Sequence, residues 1–349
     1  MIKMDKKIIF AFIVVSLFLI SGCEGGAMFG KKEEKRPVTD ADVRKGFSGL
    51  NMEFEKNAPP ESVFEGSDTN PSAFPISLRL KNEGAFDIED NKETVENEGG
   101  IVVFGFEKTY VDVVGEGGRC PGGLCKGISI KGKSIYSPAG DEDSINVDAS
   151  AKKIGAQSEK HPSTILATAC YPYNTTLGTS VCIDPDVIGE ATSKKACNVQ
   201  DVTFTEGQGA PVAITKIETR MLPFTDNGVD KIKPHFIIFI ENKGNGEVVN
   251  VSKLIFTCSS SALKYVDFNV VKITASLPQG DLKCSENSEP GPTTIRLREK
   301  EDMIRCTLET EGGVDIGRDA YTSPLKIELE YGYTFTISKN IIIEKVLTH

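Results

Sequence analysis

Residues 78–84 read LRLKNEG and residues 238–244 read IFIENKG. Both are apolar-x-apolar-x-Asn-x-Gly, and they lie 160 positions apart. Alternation with period two marks a strand with one buried face. Asn-x-Gly marks its end, since both residues tolerate left-handed backbone and begin turns. The same offset aligns Tyr171-Pro172-Tyr173 with Tyr331-Gly332-Tyr333, Leu177 with Ile337, and Ile183 with Ile343. At the front it aligns Met52 and Phe54 with Val212 and Ile214. A constant offset with matches at both ends is the signature of an internal duplication. The chain therefore reads as two β units in tandem, 48–197 and 198–349. Each Tyr-x-Tyr is expected in a penultimate strand, followed by a closing one.

The remaining pattern is all-β. Leu50, Met52 and Phe54 alternate with polar residues, as do Ile76, Leu78 and Leu80, and turn residues separate the short segments. Units of this length, with seven or more strands each, predict sandwiches. The strand with its Asn-x-Gly turn resembles the immunoglobulin-like adhesion-module domains of archaeal and bacterial surface proteins. The Tyr-x-Tyr pair is similar to the tyrosine corner of such sandwiches, although no cysteine stands two residues after either first tyrosine. The resemblance implies two immunoglobulin-like β-sandwiches serving as spacers, adhesins or ligand-presenting modules without catalytic residues.

The amino terminus gives an address. Lys3, Lys6 and Lys7 precede Ile8–Ile20, thirteen residues in which only Ser16 is polar. That is short of the roughly 20 residues of a membrane-crossing helix, and the charged start and small residues fit a signal peptide over 1–22. Ile20-Ser21-Gly22-Cys23 resembles the lipobox of lipoproteins, which implies an acylated Cys23 as the membrane anchor. Two acyl chains hold a protein firmly. Residues 23–47 read as a polar tether, with a helical turn over Thr39–Lys45 begun by a threonine cap.

Eight cysteines remain: Cys120, Cys125, Cys170, Cys182, Cys197, Cys258, Cys284 and Cys306. An even set in an exported chain points to disulfides, and no pair has the two-residue spacing of a zinc site. Spacing alone leaves the connectivity open. Cys120 and Cys125 bracket a small loop, Cys170 and Cys182 flank an expected hairpin turn over Tyr173–Gly178, and Cys284 and Cys306 flank a strand-loop-strand. Cys197 and Cys258 are left over, on opposite sides of the boundary between the two units.

The charge is acidic, 50 Asp and Glu against 40 Lys and Arg. Loss of Lys3, Lys6, Lys7 and Asp5 with the signal leaves 37 against 49, or −12. This argues against nucleic acid as a partner. The expected partners are the membrane, through lipid on Cys23, and other envelope proteins. Asn174-Thr-Thr and Asn250-Val-Ser fit the N-glycosylation pattern. Gly127–Ser134, GISIKGKS, matches a phosphate loop literally, but alternating isoleucines run a strand through it where a helix must follow. The acidic stretches 87–98 and 141–148 offer carboxylates for calcium, without the EF-hand positions. His161, His235 and His349 are isolated, and no serine or cysteine sits in a catalytic context. No metal, cofactor or enzymatic activity is expected. The sequence supports a lipid-anchored surface protein with an adhesive, structural or ligand-presenting role. The alternative is a substrate- or carbohydrate-binding lipoprotein serving a transporter or secreted enzyme.

Overall fold

The computed structural model describes residues 39–67, 70–89, 99–114, 124–186, 189, 194–254, 258, 264–285, 289, 291–309, 313–316 and 319–346. The lipobox and most of the tether lie outside the described residues. A helical turn, α1 (Asp40–Val43), opens the described chain. The Thr39 hydroxyl accepts the Asp42 N–H and the Asp42 carboxylate accepts the Thr39 N–H, a capping box.

Nearly everything else is strand. The first sheet has the order β1 (Leu50–Phe54), β3 (Ser72–Asn82), β7 (Glu142–Ala151), β5 (Val111–Val114). The second repeats it as β10 (Val212–Asp226), β11 (Val229–Asn242), β17 (Glu301–Thr307), β15 (Lys283–Cys284). Beside them, β9 (Val202–Thr203) extends past β10, and β18 (Val314–Asp315) pairs with β11. The third sheet runs through both halves: β14 (Gly280–Asp281), β13 (Val270–Leu277), β19 (Tyr321–Glu344), β8 (Lys160–Ile183), β4 (Gly100–Gly105), β6 (Leu124–Ile128). In addition β16 (Thr293–Arg296) pairs with β13, while β12 (Glu247–Val249) and β2 (Ser62–Phe64) pair with β19.

The duplication is thus visible strand by strand. The run β6-β4-β8 of one half recurs as β16-β13-β19 of the other, and the halves join where β8 meets β19. These two strands pair antiparallel over 24 residues each, with Tyr171 opposite Tyr333, Pro172 opposite Gly332 and Tyr173 opposite Tyr331. Gly332 is Pro172 advanced by the 160-residue offset, so the pairing inverts about this point like the twofold axis of a dimer. Among the described residues, no closing strand follows Tyr-x-Tyr in either half. Each Tyr-x-Tyr lies within the last long strand of its half, and the other half's equivalent takes the closing position.

A single apolar core runs through both halves, from Ile76, Leu78 and Leu80 to Phe236, Ile238 and Ile240, all at most 1 % exposed. Each such side chain contributes about 1.5–3 kcal/mol by leaving water. Residues from Val38 onward cluster as one compact unit.

The register corrects one alignment. Leu50 pairs with Asn82 and Val212 with Asn242, so Leu50, not Met52, is the counterpart of Val212. A two-residue slip keeps every side chain on its face, so alternation alone does not detect it.

Candidate functional site

The seam between β8 and β19 gathers four tyrosines. Ring centroids are 5.5 Å apart for Tyr171–Tyr173, 5.8 Å for Tyr171–Tyr333, and 6.4 Å for both Tyr173–Tyr331 and Tyr331–Tyr333. The contacts are edge-on or tilted, as ring quadrupoles favour. All four side chains are buried.

Each hydroxyl accepts a backbone N–H of its own half. The Tyr173 hydroxyl donates to Asn82 Oδ1 (3.1 Å) and accepts the Phe86 N–H (3.4 Å). In the other half, Tyr333 donates to Asn242 Oδ1 (3.4 Å) and accepts the Gly246 N–H (2.8 Å). Tyr171 accepts the Leu50 N–H (3.2 Å), and Tyr331 accepts the Val212 N–H (3.3 Å). Thr175 Oγ1 gives its proton to the Val212 carbonyl (2.6 Å), so Tyr331 is the donor in its 3.1 Å contact with Thr175.

The two asparagines complete the same figure. Asn82 accepts the Gly84 N–H (3.2 Å) and donates to the carbonyls of Phe86 (2.8 Å) and Ile130 (3.3 Å). Asn242 accepts the Gly244 N–H (3.1 Å) and donates to the Gly246 carbonyl (2.9 Å). Asn-x-Gly was expected to provide left-handed backbone, yet none of Asn82, Gly84, Asn242 or Gly244 has positive φ. The glycines have another reason. A Cβ on Gly84 would sit 1.8 Å from the Tyr173 hydroxyl, and one on Gly244 would sit 2.1 Å from the Tyr333 hydroxyl. Asn-x-Gly and Tyr-x-Tyr are two parts of one device.

Burial keeps these phenols protonated. Desolvation raises Tyr171 well above the ordinary tyrosine range, with its neighbour Tyr173 adding to the effect. Tyr173 and Tyr331 are likewise raised by burial, and Tyr333 is pushed up to about 12. Neutral phenols with committed hydroxyls do not act as acids or bases near neutral pH. The quartet is a structural joint.

Clefts flank the joint. One, of about 1220 Å³, is lined by Phe47, Met52, Tyr171, Tyr333, Phe335 and Ile337 among others. A second, of about 990 Å³, lies beside the turn of the first half and includes Phe86, Lys133, Ile135, Tyr136, Asn174 and Glu330. Tyr136 is 92 % exposed at its rim.

Three disulfides are defined: Cys170–Cys258, Cys182–Cys197 and Cys284–Cys306. The last joins the expected pair, as β15 and β17 place Cys284 opposite Cys306. The other two correct the expectation. Tyr173–Gly178 is not a turn but the middle of β8, so Cys170 and Cys182 stand about 40 Å apart along one strand, beyond any disulfide. Polar residues on the outer face of β8, such as Asn174 and Thr176, imitate a turn. Cys170–Cys258 instead clamps a small apolar cover of Val249, Leu254 and Cys258 over Ile101 and Cys125. Cys125 is also disulfide-bonded. Cys23 and Cys120 lie outside the described residues.

The other singled-out residues are scattered. Asn174 is half-buried in β8, and Asn250 caps a 3-10 turn by accepting the N–H (3.1 Å) and hydroxyl (2.9 Å) of Ser252. His161 meets Glu107 (3.2 Å) and stacks near Tyr110, while His235 meets the Thr307 hydroxyl (2.8 Å). In GISIKGKS the Gly132 N–H, which would face a phosphate in a nucleotide cradle, donates to the Asp87 carboxylate (2.8 Å), and turns rather than a helix follow. The acidic stretch 141–148 offered carboxylates for calcium. From Glu142 on it is strand β7, which sends successive carboxylates to opposite faces. Of the stretch 87–98, residues 90–98 lie outside the described residues. No described helix is long and apolar enough to cross a membrane.

No protein family and no curated protein matches the chain. Among solved structures, the C-terminal domain of the Streptococcus agalactiae AgI/II polypeptide BspA aligns over 84 % of this chain and 99 % of that one. The identity is 9 % and the TM-score 0.15, a likeness too slight to carry fold or function. The disulfides persist in oxidising surroundings and fit a folded body outside the cytoplasm. What the chain is rests on its own architecture, an all-β pair of sandwiches fused through a tyrosine-packed seam.

Proposed function

We propose that this is a lipid-anchored cell-surface protein, held to the membrane by Cys23, whose sandwich pair presents a binding surface in a non-catalytic adhesive or scaffolding role. The observation that carries the reading is the seam. The two halves share a 24-residue strand pair and a buried joint of neutral tyrosines, an investment in rigidity at the place where an enzyme would need reactive groups. Recognition surfaces on disulfide-pinned, rigid β scaffolds follow the general pattern in which a stiff frame positions the contacts.

The anchor is tested by mass spectrometry of the protein from its native membrane, digested without reduction. A peptide beginning at Cys23 with added lipid mass is expected. An uncleaved peptide spanning Lys6 to Gly22, or an unmodified Cys23, would overturn the anchor. The role is tested with the full chain on its own cells. Blocking it with antibody fragments should reduce attachment to surfaces or other cells, and undiminished attachment refutes adhesion. The runner-up, a substrate- or carbohydrate-binding lipoprotein, is favoured by the roughly 1220 Å³ aromatic-lined cleft. It predicts that a sugar or peptide panel raises the melting temperature by mass action.

A further inference from the structure

One edge of the central sheet is incomplete. On one side β19 is paired with β8 along its whole length. On the other, β13 takes Lys326–Glu330, β12 takes Gly332–Thr334, and β2 takes Ile342–Glu344. Between them, no described residue bonds the backbone of Phe335–Ile341 on that side.

Parity shows which groups are vacant. The Ile342 N–H donates to the Glu61 carbonyl (2.9 Å) and the Glu344 carbonyl accepts the Glu65 N–H (2.8 Å), so even-numbered residues turn their backbone groups away from β8. The prolines of the two strands, Pro162, Pro172 and Pro324, all occupy even positions, where no N–H is needed between β8 and β19. Thr336, Ser338 and Asn340 therefore turn their N–H and C=O groups toward the gap. Their odd-numbered neighbours Phe335, Ile337 and Lys339 lie on the inner face and are only half-buried, whereas Thr175 and Leu177, the equivalents of the first two in β8, are buried; Thr179, the equivalent of Lys339, is half-buried as well. The large cleft opens along Phe335–Ile337. Lys339 makes no ion pair with a described residue.

We propose that this gap binds an extended polypeptide segment of a partner protein, which enters the sheet as an added strand. The ladder already continues at both ends, and β2, three residues long and parallel, shows that this edge accepts a short strand. The gap spans seven residues, or about 23 Å, which fits a strand of six or seven residues. Alternate side chains of the guest would face Phe335, Ile337 and Lys339, so two apolar residues and one acidic residue at every second position complete the inner face. An unpaired edge beside apolar surface is otherwise a liability, and filling it removes the liability.

The test uses the full chain and fluorescein-labelled heptapeptides with Val, Val and Glu at alternate positions among threonines, made in both orders, plus versions with Lys for Glu. Binding by anisotropy is expected for a Glu peptide, with slowed hydrogen exchange at the amides of Thr336, Ser338 and Asn340. Ser338→Pro removes an outward N–H and leaves the β8 ladder intact, so it should fold normally and weaken binding at least tenfold. Lys339→Glu should reverse the preference to the Lys peptide, which keeps the test decisive if the proline variant misfolds. No binding by any peptide, equal binding by a folded Ser338→Pro variant, or an unchanged preference in Lys339→Glu would each overturn the strand site. Protection of the three amides that rises with protein concentration and no peptide would assign the gap to a second copy of this chain, and would also overturn it. The inference rests on reading the molecule as a presenter of a binding surface. Failed peptide binding with normal cell attachment removes only the strand site, while lost attachment function removes the wider reading.

Discussion

Alkali should unfold this protein through its own seam. In an unfolded chain a tyrosine ionises near pH 10. In the fold, burial lifts Tyr171, Tyr173 and Tyr331 far above that value and Tyr333 to about 12. The sign follows from proton counting: between pH 10 and 12 the unfolded chain has released protons that the folded chain still holds. Stability is therefore intact below pH 10 and falls as the pH rises, until each folded phenol can ionise in turn. At pH 11 each phenol costs about 1.4 kcal/mol, and four cost about 5–6 kcal/mol. That rivals the whole stability of an ordinary domain, about 5–15 kcal/mol. Unfolding is thus expected between about pH 11 and 12. The chain has 8 tyrosines and no tryptophan, so near-ultraviolet absorbance reads phenolate cleanly. The quartet's share, half of the total, should appear only in the step where the far-ultraviolet circular dichroism of the sheet is lost. If all eight ionise in one gradual wave while the sheet signal persists, the reasoning about the seam is wrong.

The other expectations follow from the same geometry. Asn82→Ala strands four polar partners and Asn242→Ala three, so urea unfolding should show losses of about 3–5 and 2–4 kcal/mol respectively, the first being the larger. Equal or negligible losses would mean that the asparagines are not the pins of the seam. Gly84→Ala places a methyl 1.8 Å from the Tyr173 hydroxyl and should cost several kcal/mol, at least about 3. Gly178→Ala meets nothing within 4 Å and should leave the melting temperature almost unchanged, within about 0.5 kcal/mol. Replacing Cys170 and Cys258 together by Ala opens a closure of 88 residues, which chain entropy values at about 4–5 kcal/mol, read as a lowered urea midpoint.

Much of this was legible in the chain. Alternation located the strands, the 160-residue offset exposed the duplication, and Thr39 announced its helical turn, because each signal is local. What escaped reading was non-local. The two-residue difference at the front of the repeat leaves the alternation intact, so only hydrogen-bond register shows it. The polar run after Tyr173 imitates a turn because it lies on an outer sheet face, and that misreading alone put Cys182 opposite Cys170. The glycine of Asn-x-Gly was recognisable, but its reason was not. Nothing local says that a hydroxyl 89 residues downstream, on Tyr173 for Gly84 and on Tyr333 for Gly244, needs the space of a methyl group.

The joining of β8 and β19 explains why the duplication is fused rather than strung out. A unit whose last strand ends its sheet has an unpaired edge, and a second copy of the same unit carries the same edge. Turned over, each satisfies the other, as in the self-complementary interface of a twofold dimer. The inversion about Pro172 and Gly332 is what such a dimer would show had its two chains become one. Fusion then frees the copies to differ. Thr175 supports Tyr331 through a hydrogen bond, while its counterpart Phe335 packs edge-on against Tyr171 and lines the large cleft. On the side away from the seam this stretch of backbone has no described strand partner in either half, but its inner face carries buried Thr175 and Leu177 in one half and half-buried Phe335 and Ile337 in the other, so a symmetric joint came to carry an asymmetric surface. In a true homodimer every change at one site would be made at both. In this single chain the seam holds the frame while its two flanks are free to differ.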